Sequence, residues 1–322
     1  MKRYLFLLSF VFVFLLPNLI IGSTKERVSV PAPLFSSVES DNQQYNIFIE
    51  DQDDVLVMDI EEYVLGVLLG EMPSNFELEA IKAQAVATRT YTLRSVEKGT
   101  KHSKGYLCTD ASCCQAYSDP GGYPEDVIKK FQAAVAETKD QVLTYEDELI
   151  EATYFSCSGG FTEDAVAVWG ADIPYLKSVA SPGEENANRF ETKVQYSRQD
   201  FLSKLGLDSS LKLSDSSFVV TYTKGGGVAR MYIANTCFTG VELRSLLDLP
   251  STVLSVSVEN DVVNIKAKGY GHRVGMSQYG AEAMAVRGEK FEDILMHYYP
   301  GTTLEKLPPE QLKAIFDKAG NL

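Results

Sequence analysis

The chain has 322 residues and a formal net charge of −14. An acidic chain without a basic stripe lacks the charge that binds phosphates, which excludes nucleic acid as the main ligand. Its five cysteines are an odd number. Cys108, Cys113 and Cys114 lie close together while Cys157 and Cys237 stand alone, which argues against a disulfide framework.

The N-terminal region predicts export. Residues 1–22 begin with Lys2 and Arg3 and continue without charge for long enough to span a bilayer, which takes about 20 residues. We expect an uncleaved membrane anchor with the basic end in the cytoplasm, and a cleaved signal peptide is the alternative. Residues 23–43 contain prolines and serines without periodicity and predict an extracytoplasmic linker. Residues 44–322 are then the exported globular domain.

The globular domain begins with a predicted hairpin and two helices. The segment 44–60 alternates apolar and polar residues around an acidic turn, which is typical of a β-hairpin. The segment 61–70 is apolar and helical, and 76–96 has apolar residues near the helix period. Between them, 73–75 (Pro-Ser-Asn) supplies a break and a candidate N-cap for the second helix.

The rest of the domain repeats this mixture of elements. Further helices are predicted at 124–138, 197–205 and 281–299, further hairpins at 141–156, 218–235 and 253–268, and irregular loops at 99–123, 159–182 and 269–280. Hairpins separated by helices indicate an α+β fold rather than a parallel doubly wound sheet. We expect several β-hairpins to pack with helices around a substrate cleft.

Glu71 is the first candidate for chemistry. It ends the apolar helix and precedes Met72 and Pro73, which force a break. A carboxyl held there in a low-dielectric cleft has a raised pKa, because burial disfavours its charged form. A carboxylic acid that stays protonated near neutral pH is what general-acid cleavage of a glycosidic bond needs. A solvated acid at a helix end is the alternative interpretation.

Two glycine-containing segments offer polar side chains. The segment 269–281 carries glycines that permit tight turns, and it carries donors and acceptors suited to sugar hydroxyls at His272, Ser277, Gln278 and Tyr279. A strained loop with a packed histidine is the alternative. The segment 154–162 combines aromatics with hydroxyl donors, among them Tyr154 and Ser158, and predicts a saccharide platform. It lacks the nucleophile-elbow pattern, and Cys157 is expected to be a buried structural thiol.

The cysteine-rich loop predicts a metal site. His102, Cys108, Cys113 and Cys114 supply four nitrogen or sulfur donors within a short stretch, which suits a tetrahedral structural zinc ion. This hypothesis rests on spacing alone. A disulfide between Cys108 and either neighbour, or free thiols, are the alternatives.

Three blocks of the sequence resemble a known family. They are 70–91 (GEMPSNFELEAIKAQAVATRTY), 154–179 (YFSCSGGFTEDAVAVWGADIPYLKSV) and 269–285 (GYGHRVGMSQYGAEAMA). In this order they resemble the signature blocks of the stage II sporulation protein D family. The resemblance implies a membrane-anchored peptidoglycan lytic transglycosylase that acts between the mother cell and forespore membranes during engulfment. Another cell-wall process is the alternative, because the family has a branch outside sporulation.

The resemblance also implies partners. The family works with stage II sporulation proteins P and M, and the P protein is an amidase that strips stem peptides and leaves bare glycan strands. The substrate implied for this chain is therefore peptide-free glycan, cleaved between N-acetylmuramic acid and N-acetylglucosamine to a 1,6-anhydro product. A glycan-binding scaffold for partner enzymes, with no catalysis of its own, is the alternative function.

The family's catalytic glutamate corresponds to Glu71, and Lys82 and Arg89 lie in the matching helical block. These two basic residues are seven apart and share a helix face, so they are candidates to bind acetamido or lactyl oxygens of the sugar. A surface pair between Lys82 and Glu79 is the alternative. The anhydro mechanism needs one carboxyl, whereas a hydrolase using two carboxylates stays open because Glu77 and Glu79 are near in sequence.

Overall fold

The computed structural model describes residues 45–51, 54–99, 102 and 104–319, all of which lie within the unit Gln43–Leu322. The predicted anchor at 1–22 and linker at 23–43 lie outside the described residues. Within the described residues, no helix combines the length and the apolar character needed to cross a bilayer.

Helices and strands are interspersed along the described chain. The helices are α1 Ile60–Glu71, α2 Leu78–Lys98, α3 Glu125–Glu137, α4 Ala165–Trp169, α5 Arg198–Lys204, α6 Gly240–Leu246, α7 Gln278–Val286, α8 Phe291–Tyr298 and α9 Pro309–Ala319. The strands are β1 Asn46–Asp51, β2 Asp54–Asp59, β3 Leu107–Cys108, β4 Gln141–Tyr145, β5 Glu148–Leu149, β6 Tyr154–Phe155, β7 Glu191–Ser197, β8 Phe218–Tyr222, β9 Val228–Ile233, β10 Thr236–Phe238, β11 Val253–Glu259, β12 Val262–Lys268, β13 Met276–Ser277 and β14 Thr303–Lys306.

The strands form several small sheets. Their orders are β2-β1-β3, β10-β9-β8, β11-β12-β7, β14-β4-β5 and the pair β13-β6. Most pairs are antiparallel, and the parallel pairs among the described strands are β1 with β3 and β6 with β13. Small antiparallel sheets interspersed with helices confirm the predicted α+β class.

Helix α2 lies at the centre of the larger core. It packs against α1, α3, α7, α8, α9 and β4. Its alanines at 80, 83, 85 and 87 are fully buried, and their small side chains let neighbouring elements approach from several directions. Helix α1 packs on α2 and is capped by Asp59, whose carboxylate accepts a hydrogen bond from Glu61 N at 2.9 Å. Because α1 is buried along most of its length, it delivers its last residue, Glu71, to the edge of the core.

A second, smaller core lies in the lobe formed by residues 191–268. Strands β7–β12 and helices α5 and α6 surround buried apolar residues such as Phe201, Met231 and Ile265. Arg273 attaches this lobe to the larger core. Its guanidinium is 1% exposed, donates to Ser158 O, Gly225 O and Thr252 Oγ1, and lies 3.6 Å from Glu163 Oε2. A buried guanidinium must be paired and hydrogen-bonded in this way to offset its desolvation.

Some predicted boundaries were wrong. The N-cap of α2 is Glu77 rather than a residue of 73–75, and it makes no side-chain capping bond. The predicted hairpin at 141–156 ends with β5, and residues 154–155 form β6, which pairs with the distant β13. The helical segment 281–299 is two helices, because the chain turns at Gly288 with a φ of 92°. The pattern also missed β7 and the short α4.

Candidate functional site

Glu71 is held by two hydrogen bonds at the end of α1. Its Oε1 accepts from Ala116 N at 2.8 Å, and its Oε2 accepts from Gln278 Nε2 at 3.1 Å. The carboxyl is partly buried. The two donors come from opposite parts of the chain, so the position of this carboxyl depends on the tertiary fold.

Burial raises the pKa of the Glu71 carboxyl above its ordinary value, and the hydrogen bonds from Ala116 and Gln278 oppose part of that rise. Among the described residues, no charged side chain contributes to this change in pKa. The carboxyl also lies at the negative end of the α1 dipole, which disfavours an anion. The group is therefore an isolated acid that retains its proton to higher pH than a solvated glutamate.

The segment 115–117 lies against α1 because two glycines of that helix leave room for it. A Cβ at Gly66 would collide with the Tyr117 ring, and one at Gly70 would lie 3.0 Å from the carbonyl carbon of Ala116. Gly66 and Gly70 are four residues apart and so face the same side of the helix. Ser118 N donates to Gly66 O at 3.0 Å and fixes the segment there. The glycines thereby bring Ala116 N to Glu71.

Gln115 connects this segment to the residues behind Glu71. Its side chain is buried, its Nε2 donates to Tyr63 Oη at 3.3 Å and Thr92 Oγ1 at 3.2 Å, and its Oε1 accepts from Tyr154 Oη at 2.9 Å. Burial raises the pKa of Tyr154, and the nearby charge of Glu71 adds to the rise. Tyr154 is thus beside the carboxyl as a neutral phenol. The sequence analysis did not identify Gln115 and Ala116 as site residues. The one feature of the sequence that could have indicated them is their position directly after Cys114, at the end of the proposed metal-binding loop.

Gln278 reaches Glu71 because two of the family-like blocks pair with each other. Met276 and Ser277 of β13 run parallel to Tyr154 and Phe155 of β6. Ser277 then caps α7 by accepting from Gly280 N, so Gln278 is the first residue of that helix. Gln278 and Tyr154 are the two predicted substrate-binding residues that the structure brings to Glu71.

Ser158 and Ser277 instead bind a buried carboxylate that the sequence did not reveal. Glu184 is 1% exposed. Its Oε2 accepts from Ser158 Oγ at 2.8 Å and its Oε1 accepts from Ser277 Oγ at 2.6 Å. Ser181 Oγ and the backbone N–H groups of Ser158 and Gly159 complete its partners. Since both hydroxyls are committed to this carboxylate, the geometry gives them a role in holding 156–160 and α7 together rather than in contacting a sugar.

His272 is half-buried, and its imidazole is neutral at pH 7. Burial and the nearby charge of Arg244 lower the pKa of its imidazole to about 4. Its Nδ1 accepts from Val274 N at 3.2 Å, and its ring lies 5.6 Å from the ring of Phe155 and 5.3 Å from that of Trp169. The structure therefore supports the alternative of a packed histidine, which in this case positions the partly exposed Trp169.

Lys82 and Arg89, which the sequence predicts to bind the sugar, each pair with carboxylates other than Glu71. Lys82 Nζ lies 2.8 Å from Glu79 Oε1 and 2.6 Å from Glu137 Oε2. Arg89 is buried, and its guanidinium donates to both carboxylate oxygens of Glu61 at 2.8 and 2.6 Å. Because Glu61 precedes Glu71 by ten residues of α1, Arg89 is about 15 Å from the acid along the helix. Both basic groups are neutralised by carboxylates.

The predicted zinc ligands cluster in space. The donor atoms of His102, Cys108, Cys113 and Cys114 all lie within 4.8 Å of one another. His102 Nε2 is 3.2 Å from Cys114 Sγ, and its Nδ1 is 3.8 Å from Glu50 Oε2. All five cysteines belong to the described residues, and none of them forms a disulfide. A compact three-sulfur, one-nitrogen set with a carboxylate behind the histidine fits the chemistry of a structural zinc site.

Comparisons with known proteins agree with the family resemblance. The family model described as SpoIID, Stage II sporulation protein, matches residues 50–145. The chain is 38% identical over 259 residues to Stage II sporulation protein D of Bacillus subtilis, covering 77% of this chain and 74% of that protein. It is 32% identical over 292 residues to a B. subtilis protein named Amidase enhancer, covering 74% of this chain and 40% of that protein. The chain belongs to the stage II sporulation protein D family.

Proposed function

We propose that this protein is a lytic transglycosylase of sporulation that cleaves peptide-free peptidoglycan strands, with Glu71 as its general acid and base. The observation that carries the proposal is the Glu71 carboxyl itself. Burial keeps it protonated beyond its ordinary range, and no charged side chain of the described chain contributes to that change in pKa. A single isolated acid suits a reaction in which one group both gives and takes a proton.

In the first step the Glu71 carboxylic acid donates its proton to the glycosidic oxygen between N-acetylmuramic acid and N-acetylglucosamine. The bond from the anomeric carbon to that oxygen breaks as positive charge develops on the muramyl ring. Glu71 becomes a carboxylate, which Ala116 N and Gln278 Nε2 stabilise by donating to its two oxygens. The neutral Tyr154 stays beside it, held by Gln115.

In the second step the muramyl C6 hydroxyl attacks the anomeric carbon, and the Glu71 carboxylate takes the hydroxyl proton. The acid is restored, and the product carries a 1,6-anhydro ring without consuming water. A two-carboxylate hydrolase has less support, because Glu79 bonds to Lys82 and to Phe291 N, and the exposed Glu77 does not contribute to the raised pKa of Glu71.

The substitution Glu71→Gln tests this function because it keeps the shape and removes the titrating proton. We expect wild-type protein to convert peptide-free glycan to fragments lighter by one water than hydrolysis products, and the variant to release none. The matched control is Gln195→Glu, which adds a carboxyl on the exposed face of β7 and is expected to leave the product unchanged. Products with ordinary reducing ends would refute the transglycosylase mechanism.

A non-catalytic glycan-binding scaffold is the second candidate, and the relative named Amidase enhancer favours it. A scaffold would bind glycan and stimulate a separate amidase without cleaving the strand. Glu71→Gln separates the two functions, since a scaffold keeps its full effect on the amidase in that variant. Loss of glycan cleavage with retained glycan binding in Glu71→Gln would refute the scaffold as the whole function.

The proposed setting is the cell surface. Residues 1–22 are proposed to anchor the chain in the membrane with the enzyme outside the cytoplasm, between the mother cell and forespore membranes. Stage II sporulation proteins P and M are the proposed partners. The test is fractionation of sporulating cells. Full-length protein in the membrane fraction, degraded by protease added to protoplasts, is expected, and a soluble shorter form would contradict the anchor.

A structural zinc ion is proposed at His102, Cys108, Cys113 and Cys114. It would supply no reaction step. It would fix the loop directly before Gln115 and Ala116, and so the donor to Glu71. Protein purified without chelator is expected to contain about one zinc per chain, and Cys113→Ser to contain none and unfold at lower temperature. The control is Cys237→Ser, at the exposed cysteine of β10. Metal-free protein with unchanged stability would refute the site.

A further inference from the structure

Two arginines without carboxylate partners flank one exposed tyrosine. Five of the eight arginines in the described residues form ion pairs, namely Arg89, Arg94, Arg198, Arg273 and Arg287. Arg189, Arg230 and Arg244 form none with a described residue, and of these Arg189 and Arg244 lie near Tyr270. The Arg189 guanidinium carbon lies 4.5 Å from the centre of the Tyr270 ring. Arg244 is close enough to His272 for its charge to lower the pKa of that imidazole.

Backbone hydrogen bonds hold both arginines to the segment that carries Tyr270. Gly269 N donates to Phe190 O at 2.9 Å, which fixes the residue after Arg189, and Gly271 N donates to Pro250 O at 3.0 Å. Arg244 Nε donates to Leu249 O at 3.3 Å, directly before that proline. Arg244 is half-buried, and its terminal nitrogens form no hydrogen bond to a described residue. The guanidinium groups of Arg189 and Arg244 therefore lie near the same segment, and neither is paired with a carboxylate of the described residues.

The surroundings suit a sugar. Tyr270 is 36% exposed and Trp169, whose ring lies 5.3 Å from that of His272, is 44% exposed. Aromatic faces of this kind pack on the apolar faces of sugar rings, and a guanidinium beside them binds a carboxylate through two parallel hydrogen bonds. In a chain of net charge −14, such a pair of unneutralised arginines marks a place for an anion.

The position is close to Glu71. Tyr270 pairs with Cys157, with Tyr270 N donating to Cys157 O at 2.7 Å. Cys157 follows Tyr154 by three residues, a distance of at most about 11 Å. Tyr154 Oη donates to Gln115 Oε1 at 2.9 Å, and the next residue, Ala116, donates its N–H to Glu71 at 2.8 Å. The two arginines are thus within the reach of a short oligosaccharide whose cleaved bond lies at Glu71.

We propose that Arg189 and Arg244 bind the free lactyl carboxylate of a muramyl residue stacked near Tyr270. This inference rests on the proposed function, since it names what that site recognises in its substrate. Among the sugars of the strand only muramic acid carries a lactyl carboxyl, and its charge is lost when a stem peptide is joined to it by an amide bond. The arginines therefore select strands from which peptides have been removed. They take the recognition role that the sequence suggested for Lys82 and Arg89.

Binding by the full-length Glu71→Gln variant tests the proposal without turnover. Trp169 is the only tryptophan of the chain, so its fluorescence reports on this place, and calorimetry gives a second reading. The probes are a muramyl tetrasaccharide with free lactyl groups, the same sugar with lactyl amides, and chitotetraose. We expect the free acid to bind roughly 10- to 100-fold more tightly than the amide or chitotetraose, because hydrogen bonds between charged partners are strong.

The preference is expected to fall below about threefold when Arg189→Gln and Arg244→Gln are added together. The control Arg230→Gln removes the same charge from the exposed face of β9 and is expected to keep the preference. If the double variant does not fold, Arg189→Gln alone is tested, because Arg189 is exposed and its substitution is expected to leave the fold intact. In that variant the preference for the free acid is expected to fall several-fold. The proposal would be overturned if these arginine variants kept the full preference for the free acid. It would also be overturned if Glu71→Gln alone showed no such preference.

A further probe separates the two sources of a carboxylate. A muramyl tetrasaccharide bearing stem peptides is expected to bind as weakly as the lactyl amide. Tight, arginine-dependent binding of that probe would assign the arginines to a peptide carboxylate and overturn the lactyl assignment. The preference for the free lactyl acid is measured without cleavage, so its absence would leave open whether the protein makes anhydro products. Absence of anhydro products would likewise leave open whether the protein prefers the free acid.

Discussion

Replacing Gln278 with alanine removes one of the two hydrogen bonds to the Glu71 carboxylate and leaves the other in place. Gln278 Nε2 lies 3.1 Å from Glu71 Oε2, and this bond lowers the pKa of the carboxyl. A hydrogen bond to a charged group is worth about 1.5–3 kcal/mol. This one is long, and water can replace it at a partly exposed carboxyl, so the lower end applies. About 1.4 kcal/mol corresponds to one pKa unit.

The direction follows from which form the bond stabilises. Gln278 donates to the ionised carboxyl, so its loss favours the protonated form and moves the pKa of Glu71 higher. Activity that requires the protonated acid is lost as pH rises through that pKa. The alkaline limb of the pH profile of kcat/KM is therefore expected to move up by about one pH unit in Gln278→Ala.

The assay is release of anhydro ends from peptide-free glycan across pH. The control is Gln195→Ala, whose amide bonds to Asn264 on the exposed face of the smaller lobe, and its profile is expected to match the wild type. An alkaline limb that stays in place in Gln278→Ala, or moves to lower pH, would show that Glu71 is not the titrating acid.

Three further predictions concern stability. Glu71→Gln is expected to be more stable than the wild type at neutral pH. The Glu71 carboxyl has a higher pKa in the folded than in the unfolded protein, so the wild type loses stability as pH rises from about 4.5 through the folded pKa, by about 1.4 kcal/mol for each pKa unit of difference. Thermal unfolding at several pH values measures this, and a difference between variant and wild type that does not change with pH would contradict it. Gly66→Ala is expected to cost about 1–3 kcal/mol by pushing on Tyr117, whereas Gly122→Ala, with open space around it, is expected to change urea unfolding little; equal effects would contradict the packing argument. Arg273→Gln is expected to cost about 3–5 kcal/mol by leaving Glu163 buried without its partner, against less than about 0.5 kcal/mol for the exposed Arg230→Gln in the same urea assay, and a small loss at Arg273 would show that the lobe is held by other contacts.

Local elements were predictable from the sequence because their signals are local. The turns of the hairpins β8–β9 and β11–β12 fall where glycines or an Asn-Asp pair allow positive φ, as at Gly226, Asn260 and Asp261. Helix α1 and its acidic last residue were predictable from an apolar run ended by Pro73. Helix α4 and strand β7 were missed, because their short segments carry no clear period.

The surroundings of Glu71 were less predictable because they come from distant parts of the chain. The donor Ala116 contributes only a backbone N–H, which no residue type announces, and Gln278 arrives through the pairing of β6 with β13. Lys82 and Arg89 share a helix face as expected, and that face is turned toward α3 and β4, where Lys82 pairs with Glu137 and Arg89 donates to Gln141 O. Partners, rather than residue type, decide whether a basic residue is available to a ligand.

The roles proposed for Arg189 and Arg244 were not predictable from the sequence either. Their importance lies in having no carboxylate beside them in the described chain, which sequence spacing does not reveal. By contrast, the cluster of His102 with three cysteines was predictable, because its donors lie close in sequence and few other arrangements of a short loop are possible.

The mass of the glycan ends released by the purified protein tests the central claim most directly. Peptide-free strands incubated with wild-type protein are expected to yield fragments ending in 1,6-anhydro muramic acid, one water lighter than a reducing end, and Glu71→Gln is expected to yield none. Reducing ends from the wild type, or undiminished anhydro product from Glu71→Gln, would contradict the assignment of Glu71 as the acid and base.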